Sequence, residues 1–508
     1  MKSLLLTAVF AACAVLSAWQ PKIIDLSWSN PTISFLQKHL TEMEKNSPLN
    51  GITIRVRGEM IERKGKKYYA GESLWTDSKI EFKHFAKDIA ALKKMPFKKF
   101  SDNFYYCTTS RYDLDWFNDA QWAQAAANFG TAAKVCRAAG LKGFLWDIEE
   151  YGKRFWKYSA LDTKKDLKTA RRVAYKRGQQ WGKAVFANYP DIVLFMPFMF
   201  SMDSSKGHLA APFINGILSV MPPTVRIFEG YESDGYAAGK PEDYPGITAK
   251  YFRNADTMVD PANRGKYLTQ VELAPSFYMD AILRHERFAK QRAEIGIPHF
   301  LRRNLAAAMK EAKTYIWFYS EAGCWWKNSY HKRAGKTWEE QAPGVTQAVV
   351  ETITPKFSFS SQNLLKNPDL KDKSGWYVWQ REMDLKKKVP GTITLGGGKA
   401  VFKKVKTGCI AQALPVKPGE YYLFRFRGMN RSTGTANGFV AFKDKKGKWM
   451  YSTYNYIVPM ADSGKMEEVT HLIVVPEGAY QISIQLSAGS LSQESDEVVF
   501  TGAQLIKY

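Results

Sequence analysis

The 508-residue sequence predicts an α/β chain, a (β/α)8 barrel followed by an all-β jelly-roll sandwich. Three observations predict it. Eight short β-branched or aromatic runs alternate with helical stretches over about 330 residues, and such alternation builds a parallel sheet. No Gly-rich phosphate loop follows the first run, which leads into Asp25-Leu26-Ser27-Trp28, so an open nucleotide-binding sheet is disfavoured. From about Gln347 the helical signal ends, and short alternating strands with Gly-, Pro- and Asn-rich turns take over.

The elements follow in order. Met1-Lys2 and the apolar run Leu4 to Ala18 read as a secretory signal peptide, residues 1–18, because polar sequence begins at Gln20. A secreted, periplasmic or cell-surface protein is therefore expected. Phe10-Ala11-Ala12-Cys13 resembles a bacterial lipobox, with Phe10 in place of the usual Leu. Membrane contact is expected only if the chain is lipid-anchored at Cys13. Strands are expected at 22–26, 51–57, 100–107, 143–149, 191–200, 224–231, 274–280 and 314–320, within a barrel domain at 20–350. Helical patterns lie at 31–45, 82–93, 118–139, 164–188 and 279–295. A linker at 351–363 leads to the sandwich at 364–508. Cys107, Cys136, Cys324 and Cys409 match neither a zinc knuckle nor a disulfide framework and read as buried thiols.

Composition narrows the function. The chain is 45% hydrophobic, 24% charged and 14% aromatic, which excludes disorder and a disulfide mini-scaffold. Its net charge of +24 points to an acidic partner. The excess is spread along the chain with no Arg-rich tail, so no nucleic acid is expected. An anionic glycan, sulfated or uronic, fits better. Arg55, Arg57, Lys153, Arg154 and Arg226 are the cations that could meet it.

The segments "NLLKNPDLKDKSGWYVW" (Asn363–Trp379), "QALPVKPGEYYLFRFRGMN" (Gln412–Asn430) and "VVFTGAQLIKY" (Val498–Tyr508) resemble the jelly-roll carbohydrate-binding modules of secreted bacterial glycosidases. The resemblance covers nearly all of the last 145 residues. It implies a sandwich that holds sugar, with Trp376, Trp379, Tyr421 and Trp449 as possible platforms and Trp376 as the buried core Trp.

Barrel enzymes work at the C-terminal ends of their strands. The fourth run, Gly143-Phe144-Leu145-Trp146-Asp147-Ile148-Glu149, puts Asp147 and Glu149 on one face. Two close carboxyls push their pKa values apart, which is the division of labour glycoside hydrolysis needs. This run is similar to the fourth strand of chitinase-like barrels, which end in Asp-x-Glu. There the Glu is the acid, which implies that role for Glu149. Lys142 and Leu145 stand where that family has its two earlier acids, so only a fourth-strand acid carries over.

Two other strand ends are rich. Glu229 and Tyr231 share a face at the sixth, and Trp317, Tyr319 and Glu321 alternate at the eighth, followed by Trp325 and Trp326. The expected catalytic set is Glu149, Asp147, Glu321 and Glu229. Substrate contacts are expected from Tyr231, Trp28, Asp25, Trp317, Trp325, Trp326 and Tyr151, with Asp102 and Asn103 as weaker candidates. Aromatic faces stack on sugar rings while carboxylates hold hydroxyls. No metal or cofactor is expected, since no His-Glu-x-x-His or comparable motif occurs. The expected activity is a secreted glycoside hydrolase acting on a polysaccharide or glycan. Two other readings stay open: a non-catalytic glycan-binding protein with a degenerate barrel, and a polysaccharide lyase using Tyr151 or Tyr231.

Overall fold

The computed structural model describes residues 21–27, 30–108, 114–150, 154–202, 205, 207–327, 336–353, 362–384, 391–461 and 463–507. The expected leader with Cys13, and the candidates Trp28 and Tyr151, lie outside these residues. So does most of the expected linker. The chain divides into two compact units, Met1–Phe288 with Ala307–Ile353, and Ala289–Ala306 with Thr354–Tyr508.

In the first unit the strands are β1 (Lys22–Ser27), β2 (Gly51–Ile54), β3 (Met60–Arg63), β4 (Lys66–Tyr69), β5 (Phe104–Thr108), β6 (Gly143–Asp147), β7 (Val193–Met196), β8 (Arg226–Glu229), β9 (Val271–Leu273), β10 (Ser276–Tyr278) and β11 (Tyr315–Ser320). β3 and β4 form a hairpin apart. The others make one curled parallel sheet of nine strands in the order β10-β11-β1-β2-β5-β6-β7-β8-β9. Each of the eight expected strand positions holds a strand; the seventh, 274–280, holds β10, and β9 lies just ahead of it. Only Ala274 and Pro275 separate β9 from β10. The Ala274 N–H donates to the Glu229 carbonyl on β8 (2.9 Å), and the Pro275 carbonyl accepts from Trp317 N on β11 (3.3 Å).

Register fixes which side chains face inward. Ile24, Leu26, Phe104, Leu145, Phe195, Phe228, Ala274, Tyr315, Trp317 and Tyr319, drawn from strands all round the sheet, pack into one cluster on its inner face. Their sequence neighbours therefore point out to the helices. The outer layer is aromatic: Trp146 on β6 stacks on Trp181 of helix Leu167–Asn188 (4.4 Å, 10°), Trp75, Phe129 and Phe213 pack against the pair, and Trp122 packs on Trp75. Much of the chain's tryptophan is thus helix-to-sheet core rather than sugar platform.

The expected helix at 279–295 is broken into Met279–Arg284 and Ala289–Ile295 by a 3-10 turn at Glu286–Phe288. All four expected thiols are buried and free. No described helix is long and apolar enough to cross a membrane.

Gly143 opens β6 at φ 153°, and a Cβ there would lie 2.0 Å from the Val193 carbonyl oxygen on β7. That neighbour is backbone and cannot yield without parting the two strands. Gly143→Ala is expected to destabilise the protein by about 2 kcal/mol or more, read as a lower denaturant midpoint.

The second unit has two five-stranded antiparallel sheets. Its strands are β12 (Tyr377–Gln380), β13 (Thr392–Gly396), β14 (Lys399–Lys403), β15 (Thr407–Pro415), β16 (Tyr421–Arg431), β17 (Thr435–Lys443), β18 (Tyr456–Pro459), β19 (Glu467–Val474), β20 (Gln481–Gly489) and β21 (Glu497–Lys507). The sheet orders are β12-β15-β20-β17-β18 and β13-β14-β21-β16-β19. Alternate residues such as Phe424, Phe426, Val440, Ile482, Ile484 and Phe500 are fully buried. Residues Ala289–Ala306 belong to this unit. Arg303 donates to the Asn455 carbonyl (2.7 Å), and the Tyr454 hydroxyl donates to the Glu294 carbonyl (2.6 Å).

Candidate functional site

Asp147 ends β6 directly above inward-facing Leu145, so its carboxyl is on the inner face at the carboxyl edge of the sheet. The next residues hold it there. Trp156 Nε1 donates to the Ile148 carbonyl (2.9 Å), and the Trp156 N–H donates to the Glu150 carboxylate, so the outward members of the segment are anchored. The Glu149 N–H donates to Asp147 Oδ1 at 2.9 Å. Burial, then the Glu149 carboxylate, push Asp147 up to about 7, against that hydrogen bond.

A second acid of this site is Glu232, which the sequence reading did not single out. It follows Tyr231, whose φ of +48° is unusual for a bulky residue and turns the chain sharply after β8. Gly230 makes that turn possible: a Cβ there would lie 2.7 Å from Trp317 Nε1, which donates to the Gly230 carbonyl (3.1 Å). Glu232 is buried, and the Tyr236 hydroxyl donates to it. Burial first, then the Asp147 charge, hold Glu232 well above the usual carboxylate range, and Glu149 and Glu321 add to this.

Glu321 follows β11. Its N–H is fixed by Asp280 Oδ2 (2.7 Å), and its carboxylate accepts from the Tyr319 hydroxyl (3.2 Å). Asp280 is thus a positioning residue for Glu321. Tyr236, Tyr278 and Tyr319 form a ring cluster with centroids 4.2 and 5.4 Å apart. The structure therefore brings together Asp147, Glu149, Glu232 and Glu321, with three tyrosines among them. The set offers Asp147, whose carboxyl keeps a proton to about pH 7, among further acids, and apolar rings with polar tips. It suits acid–base chemistry on a hydroxyl-rich substrate. Among the described residues no group of three or more His, Cys, Asp or Glu is arranged to hold a metal ion.

Other expected residues lie elsewhere. Phe228 faces inward, so Glu229 and Tyr231 share the outer face instead. Glu229 is fully buried there and accepts from Ser201 N (2.8 Å) and the Tyr267 hydroxyl (3.2 Å), while burial raises it to about 7. The Tyr231 hydroxyl accepts from Asn254 Nδ2 (2.7 Å). Neither reaches the inner acids.

Asp25 likewise points outward between inner Ile24 and Leu26, toward Cys324. The Ser27 hydroxyl donates to it (2.7 Å), and burial raises it to about 7. Trp325 and Trp326 are buried on the outer layer, Trp325 stacked on outward Phe318 (6.0 Å) and Trp326 tilted against Phe100 (6.4 Å). Trp317 faces inward as expected but is fully buried in the inner cluster, with no open ring face. Asp102 and Asn103 precede β5, at the opposite edge of the sheet. There Asp102 pairs with Lys22 and accepts from the Tyr315 hydroxyl (2.7 Å).

The sandwich carries a separate groove of about 510 Å³ on the outer face of the β12-β15-β20-β17-β18 sheet. Small Cys409, Ala411, Ala413 and Ser483 form its floor, and Tyr377, Trp379 and Trp449 its walls. Trp449 is 53% and Tyr377 63% exposed, and the Lys443 ammonium lies 4.3 Å from the Trp449 ring centre. Two of the expected platforms, Trp379 and Trp449, meet here. Trp376 is buried, its Nε1 donating to the Asn367 carbonyl (3.0 Å), and Tyr421 lies on the other sheet.

No family model matches the chain, and no curated protein matches it. Among solved structures similar to part of it are a family 4 carbohydrate-binding module (13% identity, 28% of this chain, 99% of that chain, TM-score 0.22). A second is the CBM22-1–GH10 part of Clostridium thermocellum endo-1,4-β-D-xylanase 10B in complex with xylohexaose (11%, 29% of each chain, TM-score 0.22). A third is the enzymatically active domain of bacteriophage CBA120 tailspike protein 4 (17%, 29% of this chain, TM-score 0.23), of which this chain spans 21%.

Proposed function

We propose that this protein is a secreted glycoside hydrolase whose parallel sheet closes into a (β/α)8 barrel and whose sandwich holds the glycan. Closure is supported by the segment 271–278, whose first half pairs with β8 and second half with β11. The observation that carries the activity is the convergence of Asp147, Glu149, Glu232 and Glu321 on the inner face at the carboxyl edge, where barrel enzymes place their chemistry. Glu232, buried and holding its proton, serves as general acid to the leaving oxygen. Asp147, raised to about 7 by burial and the Glu149 charge, holds its proton beside Glu149, which acts as nucleophile or base. Glu321 and the three tyrosines line the sugar subsite. The lyase reading loses support, because Tyr231, one of its two candidate bases, faces away from these acids.

The test is reducing-end release from a panel of neutral and anionic polysaccharides by the full chain. Release is expected from at least one. Binding without release by a folded protein would favour the degenerate-barrel reading. The groove is tested separately. Trp449→Ala is expected to weaken polysaccharide binding about 3- to 10-fold in affinity electrophoresis, and unchanged mobility would remove the groove from sugar binding.

A further inference from the structure

The charge of the substrate is legible at one inner-face cation. Arg55 follows β2, where Thr53 pairs with Phe104 and Ile54 with Tyr105, so Arg55 stands level with Tyr106. Phe104 is inward and Tyr106 packs on the inner cluster, which puts Arg55 on that face too. Its guanidinium carbon lies 5.5 Å from the Tyr106 ring centre. On the far side of β5, Leu145 is level with Tyr106 and Asp147 with Thr108, so the arginine and the first acid flank one strand.

Among the described candidate cations Arg55 is the one so placed. Arg57 pairs with Glu72 (3.5 Å) and stacks on Tyr69. Arg226 begins β8 at the opposite edge and donates to the Thr269 carbonyl (2.7 Å). Arg154 is exposed and Lys153 lies outside the described residues. Arg55 forms no ion pair with any described carboxylate, and its Nε is buried with no hydrogen-bond partner. A desolvated guanidinium nitrogen left unpaired costs stability unless a ligand supplies the acceptor.

We infer that Arg55 binds an anionic substituent of the substrate, a uronate carboxylate or a sulfate ester, and holds the scissile bond over the inner acids. Both oxyanions present the paired oxygens that match a guanidinium fork. The ring of Tyr106 fixes the plane of that fork. The inference rests on the glycosidase reading of the inner acids and adds the class of sugar.

The experiment uses two matched pairs: chondroitin sulfate with its desulfated form, and polygalacturonate with its carboxyl-reduced form. Wild type is expected to prefer a charged member, and which pair shows the preference separates sulfate from carboxylate. Arg55→Gln is expected to lower kcat/KM on that member roughly 10- to 100-fold and on its neutralised partner less than about 3-fold. Arg55→Lys should restore part of the loss. Equal losses on both members would mean a structural role and overturn the inference. So would wild-type preference for the neutral members.

Release from none of the four would count against the glycosidase reading alone. The inference is then decided by calorimetric binding of oligosaccharides from the same four polymers to Trp449→Ala and Trp449→Ala/Arg55→Gln chains. The same charged-member loss supports it and no difference overturns it.

Discussion

Glu232→Gln is expected to lower kcat by between about 100- and 10,000-fold while leaving the fold intact. The glutamine is close in shape to the protonated acid, and its amide keeps an acceptor for the Tyr236 hydroxyl that now donates to Glu232. What it lacks is a proton to give. Asp147→Asn should fall in the same range, because an amide can neither take up nor release the proton that Asp147 holds up to about pH 7. Wild-type kcat/KM should decline as pH rises beyond about 7, where Asp147 loses its proton, and thermal unfolding should show both variants folded. An intact rate in Glu232→Gln would remove it as the acid.

The second large effect is on stability. Burial raises Asp25, Asp147 and Glu229 to about 7 each from ordinary values of 3.8, 3.8 and 4.5. Between about pH 4 and 7 the native chain retains protons that the unfolded chain has released. Stability is therefore fullest below about 4 in respect of these groups and is lost as pH rises through 7. Each contributes on the order of 4 kcal/mol, the shift multiplied by about 1.4 kcal/mol per unit. The melting temperature is expected to be higher at pH 5 than at pH 8. Glu229→Gln, which keeps one acceptor for Ser201 N and turns its amide N–H to the Tyr267 hydroxyl oxygen, should shrink that difference. A melting temperature flat or rising from pH 5 to 8 would contradict the burial argument.

The strand positions were legible in the sequence because a parallel sheet needs apolar runs broken by helices. Which face of each strand points inward was only partly so. Parallel strands are buried on both faces, so their alternation carries no parity signal. On β11 the aromatic–acid series Trp317, Tyr319, Glu321 happened to mark the inner face. On β8 the same reasoning joined Glu229 to Tyr231 correctly but on the outer face, and so passed over Glu232. The sign that could have found it is Phe228 with Gly230: one large and one absent side chain at alternate positions fit a crowded interior. Trp325 and Trp326 stand apart from the inner acids for a related reason. Adjacent large aromatics after a strand fill a helix layer as readily as a sugar subsite, and here they pack on Phe318 and Phe100.

The most direct test compares reducing-end release by the wild type, Glu232→Gln and Glu229→Gln side by side on the polysaccharide the wild type cleaves best. Both substitutions remove a buried acid within one stretch of chain, one facing the inner cluster and one the helices. Loss of release in Glu232→Gln with retention in Glu229→Gln is the expected result. Retention in Glu232→Gln with loss in Glu229→Gln would place the chemistry on the outer face and contradict the account.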